Sequence, residues 1–88
     1  MRSYFDVVID QEEIGTRIKS LIAEKGFTVK KVAEALDFES PMAVYKWIWG
    51  KCLPDISNLI RLALLLQVSV EYILLGHEVN FEDEKTAA

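Results

Sequence analysis

The sequence from Thr28 to Lys51, TVKKVAEALDFESPMAVYKWIWGK, decides the fold. Its apolar residues recur at helical spacing in two short runs, with a break between them. Thr28 and Ser40 are typical N-cap residues, and Pro41 follows Ser40 where proline is favoured, at the first helical position. The pattern predicts two short helices, ended by Gly50, whose inward residues are Val32, Ala33 and Leu36 in the first and Val44, Trp47 and Ile48 in the second.

Three further helices are predicted outside this pair. Before it, apolar residues at helical spacing follow Asp10 and Glu13, a candidate capping box, and stop at Gly26. After it, Asp55 and Ser69 are candidate N-caps of a fourth helix and of a short fifth helix that Gly76 closes. The predicted inward residues are Ile14, Ile18, Leu21 and Ile22 in the first helix and Leu59, Leu62, Ala63 and Leu66 in the fourth. We therefore expect an all-α bundle of five helices.

Composition narrows the class of protein. With 88 residues, 51% of them hydrophobic, the chain is expected to form one domain. Its single cysteine, Cys52, and single histidine, His77, provide neither a disulfide nor a zinc-ligand set nor a catalytic pair, so we expect no enzyme, no metal and no cofactor. The N-terminal stretch MRSYFDVVID is unlike a signal peptide, and no apolar run is long enough to span a membrane. These features predict a cytoplasmic protein.

The net charge of −4 is distributed unevenly. Residues 14–75 carry eight Lys or Arg against six Asp or Glu, whereas residues 1–13 and 76–88 each carry one basic residue against four acidic ones. Duplex DNA is bound largely through Lys and Arg at its phosphates. The central region therefore remains compatible with DNA binding, although its excess of positive charge is small.

The order of these blocks resembles the repressor/Cro-type (XRE-like) helix-turn-helix family over about residues 12–76. The likeness is greatest to small single-domain regulators of the Gram-positive type, whose Ser-Pro-x-Ala-[IV]-Tyr-Lys-Trp pattern is met at Ser40 to Trp47. The resemblance implies a five-helix lambda-repressor-like bundle that binds duplex DNA as a transcriptional regulator. Residues 12–76 would form the DNA-binding domain, with an N-terminal arm at 1–11 and an acidic tail at 77–88 outside it.

By the same resemblance, a recognition helix of about Ser40–Trp49 would lie in the major groove. The candidates for base contacts are Met42, Tyr45 and Lys46, and the candidates for contacts with the DNA backbone are Thr28, Ser40, Trp49 and Lys51. A homodimer is expected, because two-fold pairing doubles the few contacts that one unit makes. No membrane and no small-molecule substrate are expected as partners.

The chain departs from the family pattern in its predicted recognition helix. Asp37 replaces the usual turn glycine, the turn is one residue longer than usual, and the residues before Gly50, often polar or basic, are Ile48 and Trp49. An alternative function is therefore that of a protein-interaction module, which kept the helix-turn-helix fold but recognises DNA sequence weakly or not at all.

The sequence leaves two possible roles for some side chains and predicts one role for others. Trp49 either packs under the loop to Pro54 or stands exposed. Ile60 and Leu64 either enlarge the core or form a dimer contact together with Tyr4, Phe5, Val7 and Ile9. Arg17 is expected to be a solvated surface residue. Cys52 is expected to be a packed or half-exposed loop residue and not a redox switch.

Overall fold

A computed structural model describes residues 7–79 and contains five helices and no strand within that range. These are α1 (Gln11–Glu24), α2 (Val29–Ala35), α3 (Met42–Ile48), α4 (Ile56–Leu66) and α5 (Val70–Leu75). The predicted all-α architecture is confirmed. Tyr4 and Phe5, named above for a dimer contact, lie outside the described residues. No helix of the described part is long and apolar enough to cross a membrane.

Four of the five helices begin at the predicted N-caps. The Asp10 carboxylate accepts the backbone N–H groups of Glu12 and Glu13 at 2.9 and 3.2 Å. Thr28, Asp55 and Ser69 each accept the backbone N–H three residues ahead, at 3.1, 2.8 and 3.1 Å. Each bond satisfies an N–H group that has no partner within its helix.

The start of α3 was predicted one residue too early. Pro41, expected as the first helical residue, is the N-cap, and the helix begins at Met42. The ψ of Pro41 is 2°, well away from the helical value near −42°. Ser40 still accepts a backbone N–H, that of Met42 at 3.2 Å, so its hydroxyl stabilises the turn before the helix instead of serving as the N-cap.

The turn between α2 and α3 contains an acidic residue in a left-handed conformation. Asp37, at the position of the usual turn glycine, has φ 64°. Asp tolerates this region better than most residues because its short polar side chain can form local hydrogen bonds. The next N–H, of Phe38, donates to the Ala33 carbonyl at 2.9 Å and closes the end of α2. The substitution for glycine therefore preserves the turn.

The core contains every inward residue predicted for α1, α2 and α4, together with Leu36 after α2 and Val44 and Trp47 of α3. Ile48 is only half-buried at the edge of this core. The Trp47 ring is 4% exposed and meets Phe38 edge to face, with ring centroids 5.9 Å apart. The indole thus anchors α3 to the turn that precedes it.

Gly15 sets the distance between α1 and α3. A β-carbon at this residue would lie 2.6 Å from the carbonyl oxygen of Ile48 and closer still to that of Trp47. Such distances are shorter than non-bonded contacts, and the obstructing atoms belong to the backbone. The two helices can therefore approach this closely only because residue 15 has no side chain.

Arg17 is a structural residue, so its expected role as a solvated side chain was wrong. Its guanidinium donates to the carbonyl oxygen of Ile73 at 2.7 Å and lies against Gly76 at the end of α5. The arginine therefore joins α1 to α5, satisfying one of the carbonyl groups that the last turn of a helix leaves unpaired.

Candidate nucleic-acid interface

The outward side of α3 presents four side chains in one strip. Met42, Tyr45 and Trp49 are 49%, 37% and 56% exposed, and Lys46 is also exposed. Val44 and Trp47 occupy the opposite side of the helix, in the core. At 1.5 Å rise per residue, the strip from Met42 to Trp49 is about 10 Å long. The three residues predicted for base contacts therefore share one accessible surface.

Two of these side chains are held against each other. The rings of Tyr45 and Trp49 stack with centroids 5.4 Å apart and an interplanar angle of 24°. Trp49 thus takes the exposed alternative, and the alternative in which it packs under the loop to Pro54 is wrong. The last turn of α3 therefore presents two stacked aromatic rings next to Lys46.

The candidates for backbone contacts lie at helix ends. Ser40 precedes α3, Lys51 follows it, and both are exposed. Thr28 is exposed at the start of α2, where its oxygen accepts the N–H of Lys31. A hydroxyl that accepts one hydrogen bond still has a proton to donate. Thr28 and Ser40 can therefore stabilise their helices and donate to a phosphate at the same time.

Sequence reasoning missed one residue of a second exposed surface. Ile60 and Leu64 are 48% and 73% exposed, so the alternative that they enlarge the core is wrong. Ile56, which was not singled out, is 78% exposed on the same helix. Its position four residues before Ile60 would have revealed it, because residues four apart share a helix face. Cys52 was likewise expected to be packed or half-exposed, and it is exposed.

A comparison with known protein families agrees with the two-helix arrangement of α2 and α3. Residues 18–73, which include α2, the turn and α3, match the family model described as Helix-turn-helix. The chain belongs to the XRE-type helix-turn-helix family. The two helices of the motif are α2 and α3, the pair predicted from the sequence between Thr28 and Lys51.

Three solved structures of similar fold are described as a repressor or as regulators. The P22 c2 repressor, in a complex with a synthetic operator, has 25% identity and a TM-score of 0.68, with 73% of this chain and 96% of that chain covered. The clp gene regulator ClgR of C. glutamicum has 26% identity and a TM-score of 0.65, covering 75% and 84%. A transcriptional regulator of Listeria innocua has 26% identity and a TM-score of 0.65, covering 88% and 72%. No curated protein matches the chain in sequence.

Proposed function

We propose that this helix-turn-helix protein regulates transcription by sequence-specific binding of duplex DNA, with α3 in the major groove. The observation that carries the proposal is the single exposed strip on α3 that contains Met42, Tyr45 and Lys46. The major groove is about 12 Å wide and admits one α-helix. Family membership and the operator complex of the similar P22 c2 repressor support the same assignment.

Three side chains of the strip are proposed to contact the bases. The Lys46 ammonium donates to O6 and N7 of guanine, or to a phosphate. The Tyr45 hydroxyl donates to either of these targets. Met42 is apolar and contacts the methyl group of thymine, which no other base carries in ordinary DNA. The proposed site therefore combines one cationic donor with apolar contacts.

Four residues, Trp49 at the end of the strip and three around it, are proposed to position the helix on the DNA backbone. Thr28 and Ser40 donate from their hydroxyl groups, Lys51 neutralises a phosphate, and Trp49 packs its exposed indole against the sugar-phosphate chain. Contacts of this kind fix the orientation of a protein on DNA without distinguishing its sequence. They supply affinity, whereas Met42, Tyr45 and Lys46 supply selectivity.

The proposal also covers the extent of the DNA-binding unit, the way and the place in which the protein acts, and its oligomeric state. We propose that residues 12–76 form the DNA-binding unit, with residues 1–11 and 77–88 outside it. The protein acts by binding and not by catalysis, in the cytoplasm where its DNA is accessible. It binds as a homodimer, because two copies present two recognition helices to the two halves of a palindromic site.

Selection of bound sites from a random duplex pool tests the proposal, followed by affinity measurements on the enriched and on a scrambled duplex at several salt concentrations. We expect a palindromic or repeated motif, tighter binding of the enriched duplex, and an affinity that falls as salt rises. No enrichment, combined with no binding of any duplex at low salt, would contradict the proposal.

A second candidate function is a protein-interaction module, and the character of the α3 strip favours it. Three of the four exposed side chains are apolar or aromatic, and such residues are enriched in protein interfaces. The duplex affinity measurements separate the two functions, because an interaction module would bind neither the enriched nor the scrambled duplex. The affinity of such a module for its protein partner would depend on Trp49.

A further inference from the structure

One arginine of α4 is bonded to the helix-turn-helix motif. The Arg61 guanidinium donates from Nη2 to the carbonyl oxygen of Leu36 at 2.6 Å, and from Nη1 to Oδ1 of Asn58 at 3.1 Å. The bond to Leu36 is partly shielded from solvent. Among residues 7–79, no other hydrogen bond connects α4 to the segment Thr28–Lys51. Arg61 is therefore the polar link between α4 and the motif in this part of the chain.

The carbonyl group that Arg61 binds lies where α2 ends. Leu36 is the C-cap of α2, and the last turn of this helix contains no basic residue of its own. Carbonyl groups at the C-terminus of a helix have no partners within the helix, and they attract cationic donors. Arg61 therefore provides from α4 the cation that α2 lacks.

The peptide unit between Leu36 and Asp37 is bonded at both of its polar groups. Its oxygen accepts from Arg61, and its N–H, which belongs to Asp37, donates to the Glu34 carbonyl at 3.0 Å. Because a peptide unit is planar, these two bonds fix its orientation. The next backbone rotation is the left-handed φ of 64° at Asp37, after which the chain continues to α3. The bonded peptide is therefore one determinant of the direction of α3 relative to α2.

Arg61 is itself held by its neighbours on α4. The Asp55 carboxylate accepts the N–H of Asn58 at 2.8 Å as the cap of α4, and the Asn58 side chain accepts from Arg61. Asn58 and Arg61 are three residues apart, so their side chains are neighbours on the helix surface. A guanidinium is planar and carries its donors in a rigid fork, which suits two acceptors at once. The bond to Leu36 thus starts from a fixed point on α4.

We propose that Arg61 is a positioning residue for DNA binding, which acts through the Leu36–Asp37 peptide to hold α3 at the angle to α2 that the duplex requires. The inference rests on the proposed function, in which Thr28 of α2 and the strip of α3 meet the same DNA. Contacts in a binding site tolerate displacements of only about 0.5 Å. Non-specific binding through flexible lysine side chains and phosphates depends less on exact geometry. Loss of the Arg61 bond should therefore weaken binding of the preferred site more than binding of unrelated sequences.

Arg17 offers a matched control within the same chain. Its guanidinium donates to the Ile73 carbonyl at 2.7 Å, in the last turn of α5 and outside the segment Thr28–Lys51. Arg17→Ala and Arg61→Ala each remove one positive charge and one bond from arginine to a backbone carbonyl. Only Arg61→Ala releases the peptide before Asp37.

Affinities for the enriched and the scrambled duplex test the proposal, measured well below the unfolding temperature of each variant. We expect Arg61→Ala to weaken binding of the enriched duplex on the order of tenfold, the equivalent of one weakened base contact. Binding of the scrambled duplex should weaken no more than it does in Arg17→Ala. Arg61→Lys keeps the charge and a donor, so it should recover part of the loss. Arg17→Ala should lower the unfolding temperature without changing the ratio of the two affinities.

Three outcomes would overturn the positioning role. Equal losses on the two duplexes, with a salt slope smaller by about one unit, would show that Arg61 contacts a phosphate. The same loss of discrimination in Arg17→Ala would show that lower stability alone is responsible. An unchanged affinity ratio in Arg61→Ala would show that the bond to Leu36 does not affect recognition.

Amide hydrogen exchange followed by NMR provides a measurement that needs no DNA. The N–H groups of Asp37 and Phe38 donate to carbonyl groups of α2 and close its end. Because exchange reports local opening, we expect both amides to exchange faster in Arg61→Ala than in the parent protein or in Arg17→Ala. Unchanged exchange would overturn the role of Arg61 even in a protein that binds DNA. Failure of the parent protein to bind any duplex would instead contradict the proposed function, and the exchange rates would still decide whether Arg61 holds the turn.

Discussion

The two sides of α3 differ in what they do for the protein. On the inward side, Val44 and Trp47 are buried, and the helix backbone lies against Gly15 of α1. On the outward side, Met42, Lys46 and Trp49 are exposed and contribute little to the packing of the core. The inward side therefore determines whether α3 is held in place, and the outward side determines what it can bind. Substitutions on the two sides should have separable effects.

The largest effect is expected from Trp47→Ala on the inward side. Truncating a buried tryptophan costs about 3–5 kcal/mol, and a small domain has about 5–15 kcal/mol of stability in total. The variant also loses the edge-to-face contact with Phe38. Chemical denaturation followed by circular dichroism should show an unfolded or severely destabilised protein. A midpoint close to that of the parent protein would mean that α3 is not held by its indole.

The second prediction is a loss of stability in Gly15→Ala. At an exposed position within a helix, Gly→Ala stabilises by about 0.5–1 kcal/mol. Here the added methyl group meets the Ile48 carbonyl oxygen, and forcing extra atoms into a packed contact costs about 1–3 kcal/mol. We therefore expect the opposite sign from the usual one. Ser20→Ala, an exposed substitution in the same helix, is the matched control and should leave the unfolding free energy nearly unchanged.

Much of this architecture could be predicted because it depends on local patterns. The caps at Asp10, Thr28, Asp55 and Ser69 each need a side-chain oxygen and a nearby N–H, and both are present in the sequence. The core follows from apolar spacing on each helix. The start of α3 was missed by one residue, because the Ser40 hydroxyl stabilises a turn before the helix and the ψ of Pro41, which the sequence pattern does not fix, is not helical.

The remaining features depend on contacts between residues far apart in the chain. Arg17 bonds to Ile73, 56 residues away, and nothing near Arg17 in the sequence indicates it. Gly15 is needed only because α3 lies against it. The exposure of Ile60 and Leu64 depends on which sides of α4 the other helices cover. The strip on α3 was predicted from helix geometry, whereas its DNA contacts remain predictions.

On the outward side, Lys46→Ala should separate binding from stability. The exposed lysine contributes little to folding, so the unfolding free energy should change by no more than about 0.5 kcal/mol. If Lys46 contacts a guanine, binding of the preferred site weakens by about 1–3 kcal/mol and discrimination relaxes at one base position. If it contacts a phosphate, affinity falls on all sequences and the slope of log K against log salt shrinks by roughly one unit.

The control for this prediction is Lys19→Ala, which removes the same charge from an exposed position on α1. It should leave both sequence discrimination and the salt slope close to those of the parent protein. Should Lys46→Ala behave in the same way while remaining folded, α3 does not enter the groove, and the proposed mechanism of DNA binding fails.

The smallest effect is expected from Trp49→Ala. This variant tests whether the outward side of α3 is as independent of folding as the contrast with its inward side implies. The Tyr45–Trp49 stack is exposed, and aromatic pairs contribute about 0.5–1.5 kcal/mol beyond the area they bury. We expect a loss of stability at the lower end of that range. Because no charge is removed, DNA affinity should fall modestly on all sequences while the salt slope stays constant.

A double-mutant cycle with Tyr45→Ala isolates the stack, since the coupling energy between two contacting residues measures their interaction directly. Coupling in DNA affinity but little in stability would show that the stacked rings act as one surface toward the duplex. Coupling in stability alone would show that Trp49 supports the end of α3 and that the two sides of the helix are not independent. If DNA affinity is untouched and binding of a protein partner is lost, the aromatic surface belongs to the interaction module, and the lysine beside it is the residue to test against that partner.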